Sequence, residues 1–373
     1  MRRKRLLFDI NSLVPYYLCG HATGVGRSTM ELVNEFNKLS KQDLPFDLIL
    51  YSQNIKGIGV KNLNTPFRKL HFYAPRRKPF TTVINSLGLK RLWSHYDLMH
   101  IPHNTDKCEN INRTIYTIHD LIVYRYPEMW GLTEAERKEH KFIADNCKAI
   151  VTCSESSKQD IVKFWGCNPE KVTVIPWGVN RKKFHYDDGL IEDVPGLTGD
   201  FFFSSSCNHP RKQTGLILQA YENYLNAGGK SQLVLLSPAT EDVNKFHNLF
   251  DDGKAIAVKG ISDPMLVRLY SQAKATIMAS LYEGFGLPVL ESLACDTQVI
   301  CAHNSSLIEA GGSVVDYLED LTPECLTQKL LQYDKLPKSE TFNKMTVEKH
   351  LAEFTWGKCA EAYINFWHNQ LQD

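Results

Sequence analysis

An apolar run, Ala275-Thr-Ile-Met-Ala279, leads directly into Ser280-Leu-Tyr-Glu-Gly-Phe-Gly-Leu-Pro-Val-Leu-Glu-Ser292. That order predicts a buried strand, a glycine-bearing loop and a short helix opened by Pro288, whose fixed φ and missing N–H suit a first helical turn. Gly284 and Gly286 let the backbone approach a ligand closely, and the helix N-terminus offers N–H groups that the helix itself leaves unbonded. Glu283 and Glu291 stand eight positions apart in this stretch. Each carboxylate is able to accept hydrogen bonds from two hydroxyls. A plain strand–turn–helix joint with two solvated glutamates has the same pattern, so the rest of the chain has to decide.

The same alternation of strand and helix recurs throughout, and 373 residues are enough for two such units. In the first half, strands are expected at Arg5–Ile10, Pro45–Ser52, Asp97–His103, Thr114–Asp120 and Ala149–Ser154. A glycine loop, Gly20-His-Ala-Thr-Gly-Val-Gly-Arg-Ser28, precedes a helix from about Ser28 to Leu39, in which Met30, Leu32, Val33 and Phe36 keep helical spacing. Strand, glycine loop and helix together present backbone N–H groups to phosphate, although most such loops are only turns. The strand Lys171–Asn180 is interrupted by Pro176 and Gly178, and a weakly patterned polar segment, 181–198, reads as a linker. The second half restarts with Phe201–Ser206, a loop carrying Arg211 and Lys212, and a helix from about Thr214 to Asn226. Strands at Gln232–Leu236, Ala255–Val258 and Thr297–Ala302 and a helix at Pro323–Tyr333 continue the alternation. The class is therefore α/β with doubly wound parallel sheets.

Composition excludes several alternatives. A net charge of +1 and 23% charged residues describe an ordinary water-soluble chain. No apolar run reaches the roughly 18 residues of a membrane span, and Asp9 and Asn11 interrupt the segment after Met1-Arg-Arg-Lys-Arg5 too early for a signal peptide. Ten cysteines lack any Cys-x-x-Cys pair, so neither a disulfide framework nor a zinc site is indicated. The expected location is the cytoplasm, with peripheral association on the cytoplasmic membrane face.

Tyr282-Glu-Gly-Phe-Gly-Leu-Pro-Val-Leu-Glu291 resembles the Glu-x7-Glu signature of the retaining, nucleotide-sugar-dependent glycosyltransferases of family 4. Thr117-Ile-His-Asp-Leu121 with Arg125-Tyr-Pro-Glu128 is similar to the matching region of bacterial mannosyltransferase-like members. Val174-Ile-Pro-Trp-Gly-Val179 resembles their interdomain junction, and Pro210-Arg-Lys212 their diphosphate clamp. Two departures stand out. Ser205 or Ser206 occupies the place of a glycine before the clamp, and Asp296-Thr-Gln298 replaces the usual Gly-Thr-Pro.

The resemblance implies a GT-B fold, two Rossmann-like domains facing across a cleft. It implies an acceptor-binding domain at 1–178, a nucleotide-sugar-binding domain at 179–355, and a terminal helix, 356–373, that crosses back to the first domain. It further implies roles. His119 lines the donor-sugar pocket and Glu283 orients the donor sugar hydroxyls, the two meeting as the cleft closes. Glu291 holds the ribose, Arg211 and Lys212 the diphosphate, and Gly24 and Gly26 lie beside the donor phosphates or acceptor. The backbone of Gly284, Phe285, Gly286 and Leu287 approaches the sugar. The expected reaction moves a hexose, mannose favoured, from GDP-mannose or a UDP-hexose to a hydroxyl of a glycan or lipid-linked glycan. It proceeds with retention and with neither cofactor nor metal, and no Asp-x-Asp metal anchor occurs.

One stretch has a separate reading. Between Asp47 and Asp97 there is no acidic residue, yet nine basic ones fall from Lys56 to Arg91, interleaved with Phe67, Phe72, Tyr73, Phe80 and Trp93. That pattern suits an anionic membrane surface, at about 1 kcal/mol per Lys or Arg near it, although a solvated basic face looks alike. Nucleic acid is not expected, because no recognised binding motif accompanies the charge. Two alternatives to a transferase remain at this point. One is a GT-B sugar-nucleotide epimerase, and the other a non-catalytic peripheral membrane protein. A dinucleotide oxidoreductase is disfavoured because Thr29 stands where Gly24-Val-Gly26 would need its third glycine.

Overall fold

The computed structural model describes residues 2–372 except 20–23, 60, 76–77, 103–109, 193 and 206–207. The chain divides into two compact units, Met1–Trp177 with Trp356–Asp373, and Gly178–Thr355.

The first unit is built on a seven-stranded parallel sheet: β1 (Arg5–Asp9), β2 (Asp47–Gln53), β3 (Arg68–Phe72), β4 (Leu98–Ile101), β5 (Thr114–Thr117), β6 (Ala149–Thr152) and β7 (Val172–Val174). Their order is β3-β2-β1-β4-β5-β6-β7. Consecutive buried apolar residues such as Leu6, Leu7 and Phe8 form these strands because both faces of a parallel sheet are covered by helices. The second unit repeats the design with six strands: β8 (Phe201–Ser204), β9 (Gln232–Leu236), β10 (Ala255–Val258), β11 (Thr276–Met278), β12 (Val299–Ala302) and β13 (Asp316–Leu318). Their order is β10-β9-β8-β11-β12-β13. In both sheets the winding reverses beside the first strand, between β1 and β4 and between β8 and β11. Open α/β sheets take their ligands at the carboxyl ends of strands beside such a reversal. The α/β class expected from the sequence holds.

The terminal helix Trp356–Gln372 packs on the helix Gly24–Phe36 of the first unit. Trp367 is fully buried, with ring centroids 5.4 Å from Phe8, 5.4 Å from Phe36 and 6.1 Å from Phe46. Its indole Nε1 donates to His100 Nδ1 at 2.7 Å. An indole N–H only donates, so Nδ1 accepts and the His100 ring proton sits on Nε2, which lies 2.7 Å from Thr117 Oγ1. A polar chain thus runs from the terminal helix into strands β4 and β5.

Two local expectations change, and the basic stretch gains elements that the sequence reading does not assign. The helix expected from Ser28 begins at Gly24, so Gly24 and Gly26 lie in its first turn rather than in a loop. Buried Leu32, Val33 and Phe36 anchor the helix on the sheet side. The basic stretch contains the edge strand β3 and two helices, Lys78–Ser86 and Leu89–Ser94. Arg76 and Arg77 lie outside the described residues, as does Ser206. Finally, β5 ends at Thr117, two residues before His119.

Candidate active site

The carboxyl ends of β8 and β11 flank the reversal in the second sheet, and the loops that follow them carry most of the candidate residues. After β8 the chain makes a short turn of 3-10 helix, Pro210–Lys212, started by His209, whose Nδ1 accepts from Arg211 N at 3.2 Å. Gln213 then takes a left-handed conformation, φ 54°, and begins the helix Thr214–Asn226. This tight reversal turns Arg211 and Lys212 toward the loop after β11.

There both cations meet Glu283. Lys212 Nζ donates to Glu283 Oε1 at 2.5 Å, and Arg211 Nη1 lies 2.7 Å from Oε2. The Lys212 and Glu283 side chains are 8% and 9% exposed, whereas Arg211 keeps 25%. Arg211 also donates to Tyr282 O at 3.0 Å, while its own carbonyl accepts from Leu281 N at 2.8 Å. Burial by itself would push the Glu283 carboxyl up. The charges of Lys212 and Arg211, with hydrogen bonds from Lys212 and Ser280, outweigh that and hold it below its ordinary value. Arg211, Glu283 and Lys212 therefore form a partly buried ionic trio with one net positive charge.

A polar run after β12 fastens the loop from the other side. Asn304 Nδ2 donates to Ser280 O at 3.0 Å, Ser305 Oγ accepts from Glu283 N at 3.1 Å, and Ser306 Oγ donates to Glu283 O at 2.7 Å. Gly286 caps the helix Leu287–Ala294 with φ 101°, and a Cβ there would come within 3.2 Å of both Ala310 and Leu307. Only glycine fits both demands. Phe285 turns its ring into the unit, 6.0 Å from Phe354, so what it offers a ligand is backbone. Gly284 and Leu287 are half-buried on either side of it.

Glu291 lies on that helix and is buried. Tyr270 Oη stands 3.3 Å from Glu291 Oε2 and 2.9 Å from Ser205 Oγ. The phenol donates to the carboxylate, which only accepts, and fixes its orientation. In the sequence Ser205 reads only as a departure from a glycine, and nothing there marks Tyr270 for a role. Nothing in the linear pattern pointed to Asn304, Ser305 or Ser306.

In the first unit His119 follows β5, half-buried. Its Nε2 donates to Pro102 O, the residue after β4, at 2.8 Å. A carbonyl only accepts, so the ring proton sits on Nε2. The ring lies 5.2 Å from that of Trp177, and the His119 carbonyl accepts from Ser157 Oγ at 3.1 Å. Arg125 forms a two-toothed pair with buried Asp160, at 2.7 Å and 3.1 Å. Gly24 is exposed, with nothing within 4 Å of a notional Cβ, and Gly26 is buried. Among the described residues no three His, Cys, Asp or Glu side chains converge as a metal would require.

A profile described as Glycosyltransferase Family 4 matches residues 22–183, and one described as Glycosyl transferases group 1 matches residues 244–312. The chain belongs to glycosyltransferase family 4. It is 23% identical over 288 residues to O-antigen chain mannosyltransferase B of Escherichia coli, covering 73% of this chain and 72% of that protein. With several other curated relatives the chain spans only 45% to 64% of their length. The sucrose-phosphate synthase structure from Thermosynechococcus elongatus superposes with a TM-score of 0.73 at 19% identity, over 98% of this chain and 99% of that one. Anabaena HepE in complex with UDP and glucose gives 0.61 at 13% identity, over 94% and 98%. Such distant likeness establishes the GT-B fold. No helix among the described residues is long and apolar enough to cross a membrane.

Proposed function

We propose that this family 4 chain transfers a hexose, mannose-like in preference, from a nucleoside-diphosphate sugar to a hydroxyl of a glycan or lipid-linked glycan. The observation that carries this reading is the convergence of Arg211 and Lys212 on Glu283 beside the reversal point of the second sheet. In that reading the donor diphosphate takes up the two cations. The bond from sugar C1 to the β-phosphate oxygen breaks, and the cations stabilise the charge that builds on the departing phosphate without a metal ion. A new bond forms from C1 to the acceptor oxygen on the same face, giving retention, and the acceptor proton leaves with the departing phosphate. Glu283, released from the cations, accepts hydrogen bonds from the sugar hydroxyls. Glu291, oriented by Tyr270, accepts from the ribose. His119 is the side chain that the first unit contributes to the sugar pocket. The mannosyltransferase relative supports mannose and the HepE complex supports UDP, so the base is left to experiment.

The test is thermal unfolding of the full chain with UDP, GDP, ADP and their sugars, in EDTA. A ligand at 100 times its Kd adds about 2.7 kcal/mol. A midpoint shift with one nucleotide, abolished in Glu291→Ala, supports metal-free binding at this site and names the base. Incubation of that donor with glycan acceptors and analysis of the product then separates transfer from epimerisation. Absence of any shift with a folded sample would remove the reading.

A further inference from the structure

The helix Lys78–Ser86 is amphipathic the wrong way round. At 3.6 residues per turn, Phe80, Val83, Ile84 and Leu87 fall within an arc of about 100°. That width is normal for a stripe that faces a core. Here only Ile84 is buried, whereas Phe80, Val83 and Leu87 are 49%, 54% and 64% exposed. The polar side faces inward instead, where Thr81 Oγ1 accepts from Gln53 Nε2 at 3.5 Å. Gly88, at φ 61°, turns the chain into the helix Leu89–Ser94, which packs beside the first and exposes Leu92 and Trp93. Trp93 lies 6.3 Å from Phe72, next to exposed Tyr73, over whose ring Lys61 Nζ stands at 5.3 Å.

A charge pattern accompanies this apolar face. Lys56, Lys61 and Arg91 are exposed, and no acidic residue occurs from 48 to 96. On the same unit an open pocket of about 320 Å³ is lined by Val14, Leu18, Ile55, Ile58 and Lys56, with Pro75 at the start of the segment that becomes the first helix. Leu18 and Ile55 are themselves exposed. Large exposed apolar side chains, in a stretch of sequence that carries exposed cations and no carboxylate, match an anionic lipid surface. The apolar groups enter the acyl boundary and the cations meet the headgroups. An acidic protein partner would match the charge but gives no reason to point this whole apolar arc at solvent. A nucleic acid would favour flat rings over Val83, Leu87 and Leu92.

We infer that the helix pair Lys78–Ser94 is a bilayer-docking face that inserts Phe80, Val83, Leu87, Leu92 and Trp93 into an anionic membrane. This goes beyond the transfer reaction and stands without it. The full chain is sedimented with vesicles of phosphatidylcholine alone, or of phosphatidylcholine and phosphatidylglycerol in equal parts. Two variants are compared with the wild type. The first is Phe80→Ser with Val83→Ser and Leu87→Ser, and the second is Lys56→Gln with Lys61→Gln and Arg91→Gln. The wild type is expected to bind the anionic vesicles and to bind the neutral ones poorly. The apolar variant should bind about tenfold less or worse, with an unchanged melting midpoint. The charge variant should lose most of its preference for phosphatidylglycerol, and high salt should imitate it. Equal binding by the wild type and the apolar variant overturns the inference, as does a wild type that ignores both vesicles. A wild-type dimer that the apolar variant converts to monomer, with vesicle binding unaltered, also overturns it and assigns the face to a second copy of the chain.

Discussion

Replacing Glu283 by glutamine keeps the shape of the side chain and removes its charge, which isolates the ionic trio. In the wild type one carboxylate serves two cations at 2.5 Å and 2.7 Å. Glutamine leaves them adjacent, with two positive charges and only one acceptor oxygen. Removing one partner of a buried pair costs about 3–5 kcal/mol. Arg211 is one-quarter exposed and keeps its bond to Tyr282 O, so the lower end, about 3 kcal/mol, is appropriate. For a unit of this size that is roughly 6–12 °C of melting midpoint. The carboxyl is held below its ordinary value in the folded state, so its stabilisation is complete above about pH 4.3, the unfolded value. It is lost as pH falls through the lower folded value, and the two proteins should converge in that acid range.

The same change alters ligand binding in the opposite direction. In the wild type a diphosphate has to win Arg211 and Lys212 from a carboxylate, whereas in Glu283→Gln no negative charge holds them. The nucleotide that binds the wild type should bind the variant about tenfold more tightly, while transfer is lost because the sugar hydroxyls lose their carboxylate acceptor. Differential scanning fluorimetry with and without nucleotide reads both effects. A variant as stable as the wild type near neutral pH, or one stabilised less by nucleotide, would refute the reasoning that the trio is a competing anion site.

Three further outcomes are expected. Trp367→Phe strands the buried His100 Nδ1 without its donor, at a cost of about 1–3 kcal/mol; chemical denaturation should show it, and an unchanged midpoint counts against the polar chain described above. Gly286→Ala meets both a left-handed φ and the side chains of Ala310 and Leu307, so it should lose about 1–3 kcal/mol and most of the activity; a stable, active alanine variant would show that the loop can relax. Tyr270→Phe removes the phenol's hydrogen bond to Glu291 and should weaken nucleotide binding about tenfold, one charge-assisted hydrogen bond, with little change in turnover at saturating donor; titration calorimetry separates that from simple loss of stability.

Much of the second unit was legible because its signals are local. The helix Thr214–Asn226 and the strands Gln232–Leu236 and Ala255–Val258 have the bounds that their patterns predict. The loop around Glu283 carries its own punctuation in Gly284, Gly286 and Pro288. Strand β3 was hidden because Arg68-Lys69-Leu70-His71-Phe72 alternates too weakly and is rich in charge. It is an edge strand, and charge there protects an open edge from unwanted pairing. Three-residue β13 is too short to have a period. The glycines at 24 and 26 look like a loop in any local reading, since nothing nearby reveals that the first helical turn starts so early. The pairing of Arg211 and Lys212 with Glu283 spans about 70 positions, and Tyr270 reaches Glu291 from another helix. Such partnerships are set by sheet order, which a linear pattern does not carry.

The terminal helix has a consequence for how the chain is made. Trp367 fills the aromatic space among Phe8, Phe36 and Phe46 and donates to His100, so the core of the first unit is incomplete until the last turns have been synthesised. The second unit is continuous in sequence and is finished earlier. At about 5–20 residues per second, the first sheet waits roughly 10–40 s on the ribosome for its final wall, while the unit made after it folds first. For that interval Phe8, Phe36 and Phe46 lack the indole that covers them in the finished unit.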